Sequence, residues 1–299
     1  MERRRLGRTG IAVSALGFGA SEFGQKRIAL KTAAGILGSA LDDGLNVIDT
    51  AACYGNSEEL IGRAVGHRRK EYCILTKCGH ASGLRFEDWT PALIEPSIDR
   101  SLKRLRTDYL DVVQLHSCGE QQLRRGELTG ALRRAREKGK LRYIGYSGDG
   151  KAALYAAQCG AFDTIQISLS IADQEAIETI LPLARERDLG IIAKRPIANA
   201  AWLAGSWWSL GSYSRPYRTR LRKLNYDFLN RDAREAVATA LRFTLSAPGV
   251  HTAIAGTTKR WRWQQNAARL AEGPLPQSEY DSIRTRWRSV ATADWIGLE

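Results

Sequence analysis

The stretch "PALIEPSIDRSLKRLRTDYLDVVQLH" (91–116) decides the fold. Residues 91–106 carry an amphipathic helical pattern with a proline near its start, where the missing N–H costs nothing. Residues 109–116 form a short apolar run that stops on His116. A buried parallel strand reads as such a run. The same alternation extends in both directions. Strand patterns fall at 14–20, 46–50, 72–77, 109–116, 142–147, 162–168, 191–196 and 251–258. Helical patterns follow them at 29–44, 57–66, 91–106, 127–140, 150–160, 174–190 and 232–247, and another begins near Arg260. Strict alternation predicts an α/β fold, and eight units predict a closed (β/α)8 barrel, the TIM-barrel architecture. An open dinucleotide-binding sheet requires G-x-G-x-x-G after the first strand. "GFGASEFG" (17–24) does not match that spacing, since Glu22 stands where the third glycine belongs.

The chain has 299 residues, 43% of them hydrophobic. One domain spanning 1–299 suits a barrel of this kind. The net charge of +13 comes from Arg and Lys residues spread over helical segments, with no run dense enough for a nucleic-acid arm. Neither a nucleic-acid nor a membrane partner is expected. The basic, partly apolar start "MERRRLGRTGIAVSALGFGASEF" is interrupted by Ser14 and Gly17 and is needed for the first strand, so it does not read as a signal peptide. No stretch reaches the apolar length of a membrane helix. Five cysteines without paired spacing predict a reducing, cytoplasmic setting.

In such a barrel the chemistry gathers where strands end. Asp49 ends the second strand, with Tyr54 on the loop beyond it. Lys77 ends the third strand and His116 the fourth. A buried charge needs a partner, so Asp49 is expected to pair with Lys77. The Lys77 ammonium near Tyr54 favours the phenolate and is expected to lower the tyrosine pKa. His116 supplies a hydrogen-bond donor to a carbonyl oxygen. The set suits protonating a carbonyl while a cofactor delivers hydride.

On these segments the sequence resembles the aldo-keto reductases. "NVIDTAACYGNSEELIGRAV" (46–65), "ILTKCG" (74–79), "SIDRSLKRLRTDYLDVVQLH" (97–116), "AREKGKLRYIGYSG" (135–148) and "AIAGTTKRWRWQQNA" (253–267) carry the resemblance, which covers nearly the whole chain. It implies a catalytic tetrad of Asp49, Tyr54, Lys77 and His116, with Tyr54 as general acid. It also implies NADPH-dependent, reversible reduction of an aldehyde or ketone.

The resemblance further implies a cofactor site. Gly19, Ala20, Ser21 and Asp49 belong to it on the early strands. Ser147 and Gln166 correspond to residues holding the nicotinamide amide, with Gly148 where the family often has Asn. Gly256, Thr257, Thr258, Lys259 and Arg262 correspond to the adenosine-phosphate segment, and Gln265 and Asn266 to the adenine contacts. Lys259 and Arg262 at a helix start favour NADPH over NADH. Gln265 replaces a frequent Glu, and Ala255 a frequent Pro. Lys194, with Arg195 beside it, stands where many members stack an aromatic on the nicotinamide. An inward cation at either position is expected to weaken NADP⁺ relative to NADPH, to contact the pyrophosphate or to hold a substrate carboxylate.

Substrate contacts are expected from Tyr54, His116, Trp202, Trp207 and Trp208. The three tryptophans lie in 197–231, read as a large loop over the barrel mouth. Its aromatics either wall a pocket or pack the loop. Cys53, Cys78 and Cys118 neighbour the site but lack zinc-ligand spacing and read as small filler, so no metal is expected. Two other classes stand beside the enzyme. One is an NADPH-binding redox sensor with little turnover; the other, a polyanion binder, rests on net charge alone. The complete tetrad favours the enzyme.

Overall fold

The computed structural model describes residues 1–26, 28–203 and 214–298. Two three-residue strands, β1 (Arg3–Arg5) and β2 (Ala12–Ser14), pair antiparallel as a hairpin. Eight parallel strands then close into a barrel: β3 (Leu16–Gly19), β4 (Val47–Asp49), β5 (Cys73–Cys78), β6 (Leu110–His116), β7 (Leu141–Ser147), β8 (Thr164–Ser168), β9 (Gly190–Lys194) and β10 (Thr252–Ala255). Neighbours in space follow chain order, and β10 closes the ring onto β3. The eight-strand barrel is thus as the alternation predicts.

The hairpin is invisible to an apolar-run reading because β1 is three arginines. It nevertheless has a clear job. Leu6 and Val13 are fully buried and join Val47, Leu75, Val112, Ile192 and Ile254 in the core inside the barrel, plugging its N-terminal end. A larger core lies between the strands' outer faces and the helices, with Phe18, Ile48, Leu115, Ile144 and Ile165 pointing outward. This division follows the two-residue alternation of a strand.

The helices follow the predicted spans closely, for example Leu30–Asp42, Ser57–Val65, Pro91–Leu105 and Ala233–Ser246. One predicted helix, 174–190, is instead two short ones, Glu175–Thr179 and Leu181–Glu186. Pro182 supplies no N–H to continue the first and disfavours helical backbone in the residue before it.

The described parts of 197–231 hold more order than a loop. It contains the helix Ser214–Leu224 between two 3-10 turns, Ala198–Leu203 and Asp227–Asn230. Tyr217 and Leu221 from that helix build a second core with Phe243, Ile283, Trp287 and Trp295. The buried Tyr217 hydroxyl donates to Asp173 Oδ2 at 2.5 Å, and Arg220 pairs with the other oxygen of the same carboxylate. No helix of the described residues is long and apolar enough to cross a membrane.

Candidate active site

Barrel closure brings the ends of β4, β5 and β6 side by side, with Asp49 opposite Leu75 and Lys77 opposite Gln114. Lys77 Nζ lies 2.8 and 2.7 Å from the two Asp49 oxygens and 2.7 Å from the Thr50 carbonyl oxygen. All three ammonium protons are spent there. Both side chains are almost wholly buried. Burial is the largest influence and pulls the lysine down, but Asp49, with Tyr54 and Cys53 behind it, outweighs it and holds Lys77 above the ordinary lysine value. Burial also lifts the Asp49 carboxyl, against the pull of Lys77.

Tyr54 is held by its loop. Its N–H donates to Ala51 O at 3.0 Å, and its carbonyl accepts from Ser57 N at 2.9 Å. Ser57 then pins the following helix by donating to Ala20 O at 2.8 Å. Gly24 presses on the same loop so closely that a β-carbon there would lie 1.8 Å from Tyr54 O. Lys77 Nζ sits 5.1 Å from the centre of the Tyr54 ring. The Tyr54 hydroxyl has no hydrogen-bond partner among the described residues, so it is left free for a substrate.

The expected lowering of the Tyr54 pKa is corrected by the structure. Burial is the largest influence and raises the phenol above its ordinary value; the opposing pull of Lys77 comes second. With its protons committed to Asp49 and Thr50, Lys77 acts on Tyr54 through space only. Tyr54 is therefore a protonated donor across the neutral range.

His116 meets the Tyr54 ring edge-on at 5.8 Å between centres. Burial, then the charge of Lys77, pushes its pKa down to about 2, so it is neutral. Its backbone carbonyl accepts from Trp89 Nε1 at 3.0 Å, and the His80 ring packs edge-on at 5.2 Å. The Cys53 sulfur lies 3.3 Å from His116 Nδ1, a contact that a filler role does not describe. Gln114 also went unread in the sequence. It lies two residues before His116 on the same strand face, and its Nε2 reaches Asp49 Oδ1 at 3.5 Å. The period-two pattern of β6 was the available signal.

Of the expected nicotinamide residues, Ser147 and Gln166 are buried at adjacent strand ends, paired in register. Gln166 hydrogen-bonds Asp49, while its Oε1 is buried without a partner. That orphaned acceptor suits an amide N–H of a ligand. At Gly148 a β-carbon would fall 2.3 Å from the Tyr146 hydroxyl, which donates to Cys118 O at 2.9 Å. Tyr146 thus fills the space an Asn would need.

Lys194 ends β9 with Nζ 3.0 Å from Asp149 Oδ2, and Asp149 also accepts from the N–H and hydroxyl of Ser168. Its charge is paired, so the premise of a lone inward cation fails for Lys194. Arg195 has positive φ and donates to Ser168 Oγ at 2.9 Å and to the Leu298 carbonyl.

Gly19, Ala20 and Ser21 lie at the end of β3 and the start of the next helix, and Ala20 N donates to Asp49 O at 2.8 Å. Gly256, Thr257, Thr258 and Lys259 form the turn after β10, where Lys259 N donates to Thr257 Oγ1 at 3.0 Å. Beyond them the helix Arg262–Leu270 faces Ala233–Ser246 across a cavity of about 180 Å³. Arg262, Gln265 and Asn266 line it, as do Arg234 and Val237 from the other helix. The four turn residues are not part of the lining. Arg234 was not anticipated, since it belongs to no recognised segment. Neither Arg262 nor Arg234 has a carboxylate partner among the described residues. Two unpaired guanidinium groups beside a cavity suit an anionic nucleotide, so the residues present fit the expected cofactor.

Trp202 is half-buried against the second core, as packing of the segment requires. Trp207 and Trp208 lie outside the described residues. None of the five cysteines is in a disulfide, and no metal-ligating cluster occurs among the described residues.

Comparison with known proteins identifies the family and the fold. The model of the aldo/keto reductase family matches residues 15–288. An uncharacterized oxidoreductase of Bacillus subtilis (strain 168), YqkF, is 28% identical over 95% of this chain and 96% of its own. The holo form of the aldo-keto reductase AKR11C1 from Bacillus halodurans superposes with a TM-score of 0.82 at 25% identity, covering 99% of each chain. An aldo/keto reductase from Klebsiella pneumoniae, solved in complex with NADP and acetate, gives 0.76 at 25% identity over 98% of this chain and 96% of that one. The chain belongs to the aldo/keto reductase family and is an oxidoreductase.

Proposed function

We propose that this protein reduces an aldehyde or ketone to the alcohol with NADPH, reversibly, using Tyr54 as proton donor. The observation that carries this reading is the free Tyr54 hydroxyl beside the buried Asp49–Lys77 pair. Bound NADPH supplies the hydride. Tyr54 gives its proton to the carbonyl oxygen as the C–H bond forms, and the phenolate left behind is stabilised through space by Lys77, whose Nζ lies 5.1 Å from the ring centre. Asp49 keeps Lys77 charged and in place. His116, being neutral, orients the carbonyl oxygen by hydrogen bonding and takes no proton in the step.

Gln166 and Ser147 hold the nicotinamide amide in this reading. Arg262, Gln265 and Asn266 take the adenosine end, with Lys259 at its rim. The cofactor in the NADP-bound Klebsiella pneumoniae relative supports NADPH here. The chain acts as one domain, with the described parts of 197–231 lying over the barrel mouth; the anchoring of Tyr217 and Arg220 on Asp173, in the loop after β8, supports that placement. Five cysteines outside any disulfide suit a reducing cytoplasm. The test is NADPH consumption across a panel of aldehydes, ketones, quinones and sugars. Saturable consumption with at least one carbonyl class supports the reading; NADPH binding without turnover on any of them counts against it.

A further inference from the structure

The neutral His116 can serve a carbonyl oxygen in only one of its two forms. A neutral imidazole carries one N–H and one lone pair. To donate from Nε2, it must leave Nδ1 as the acceptor. If the proton sits on Nδ1 instead, Nε2 presents a lone pair, which repels the carbonyl oxygen. Something must therefore choose the tautomer, and burial offers no help because it acts on both forms alike.

The residue in place to choose is Cys53. Its sulfur lies 3.3 Å from His116 Nδ1, and no other side chain hydrogen-bonds either ring nitrogen among the described residues. Nε2, on the opposite edge of the ring, has no partner there. Burial, the largest influence on Cys53, raises its thiol above the ordinary value, so the proton stays on sulfur at neutral pH. A thiol is a weak donor and a still weaker acceptor, so S–H···Nδ1 is favoured over Nδ1–H···S. Cys53 also occupies a fixed place. It lies between Ala52, whose N–H donates to Lys77 O at 3.2 Å, and Tyr54, whose loop is pinned as described.

We propose that Cys53 is a positioning residue: its S–H donates to His116 Nδ1 and fixes the Nε2–H tautomer that receives the substrate carbonyl. This rests on the carbonyl-reductase reading for its consequence, but the tautomer is a property of the protein without substrate. The chain has four histidines, so the side-chain nitrogens are resolvable by ¹⁵N correlation spectroscopy, with His116→Gln assigning the signal.

The expected wild-type signal shows a protonated Nε2 and a lone-pair Nδ1. Cys53→Ala is expected to move His116 towards a mixture of tautomers. It should lower kcat/KM by about two- to tenfold, the worth of one hydrogen bond, with NADPH affinity unchanged. Cys53→Ser keeps a donor and is expected to retain the wild-type tautomer. Three results would overturn the proposal: a wild-type His116 protonated at Nδ1, an unchanged tautomer in Cys53→Ala, or a serine variant that behaves like alanine. A wild type that reduces no carbonyl would defeat the functional reading, while the nitrogen spectra would still decide the role of Cys53.

Discussion

Replacing Lys77 with methionine should destabilise the barrel in a manner set by pH. The substitution keeps most of the apolar stem but removes three N–H donors, two to Asp49 and one to Thr50 O. Asp49 is then left at a site where its side chain is 4% exposed, with only amide donors such as Gln114 Nε2 at 3.5 Å. Removing one member of a buried pair costs about 3–5 kcal/mol. The variant can escape part of that cost by protonating Asp49, which lifts the folded-state pKa further above an unfolded value of about 3.9. The sign follows. A raised carboxyl pKa leaves stability intact below about pH 4 and removes it as pH climbs towards the new folded value. Because wild-type Asp49 is itself raised, the deficit of Lys77→Met relative to wild type should widen by up to about 1.4 kcal/mol per pH unit only between the two folded values, and then level off. Asp49→Asn with Lys77→Met leaves two neutral groups of similar volume and should recover most of the loss. Urea unfolding of the wild type, both single variants and the double variant, at pH 4.5, 6 and 7.5, tests this. Additive single losses, or a Lys77→Met deficit that ignores pH, would refute the reasoning.

Two more expectations concern the cofactor and the acid. Arg262→Gln and Arg234→Gln should each weaken NADPH by about three- to tenfold, less than a fully buried charge-assisted contact because Arg234 is exposed and Arg262 half-buried, and should leave NADH nearly unchanged; fluorescence titration of both cofactors reads this, and parallel losses for NADH would remove the phosphate role. Because burial holds Tyr54 above its ordinary value, kcat/KM for reduction should stay level through neutral pH and fall only above about pH 10, while alcohol oxidation, which needs the phenolate, rises with pH. A reduction profile breaking near neutrality contradicts that.

The barrel was legible because buried parallel strands and amphipathic helices leave different periods in the sequence, and both survive without an alignment. Asp49, Lys77 and His116 were legible for a related reason. Each is a polar residue ending an apolar run, which the barrel converts into a place on its mouth. What stayed hidden depended on contacts between distant segments. The β1–β2 hairpin is held by Leu6 and Val13 inside the barrel, beneath charged neighbours that mask its pattern. The helix Ser214–Leu224 is charged along most of its length, and Tyr217 and Arg220 meet their partner Asp173 more than forty positions earlier. The balance at Tyr54 could not be read either. Sequence supplies a nearby cation, but how deeply the ring is buried is a property of the packed loop. The pairing of Lys194 with Asp149 across two strand ends is of the same kind, and it cancels a charge that looked free in the sequence.

The most direct test of the account compares wild type with Tyr54→Phe. The change removes one hydroxyl from a ring whose loop is held by backbone bonds, so the fold should persist. The measurement is NADPH oxidation with a carbonyl that the wild type accepts, alongside NADPH affinity from fluorescence titration. The account predicts that reduction is abolished while affinity stays within a few-fold. Unchanged turnover in Tyr54→Phe at neutral pH would contradict it.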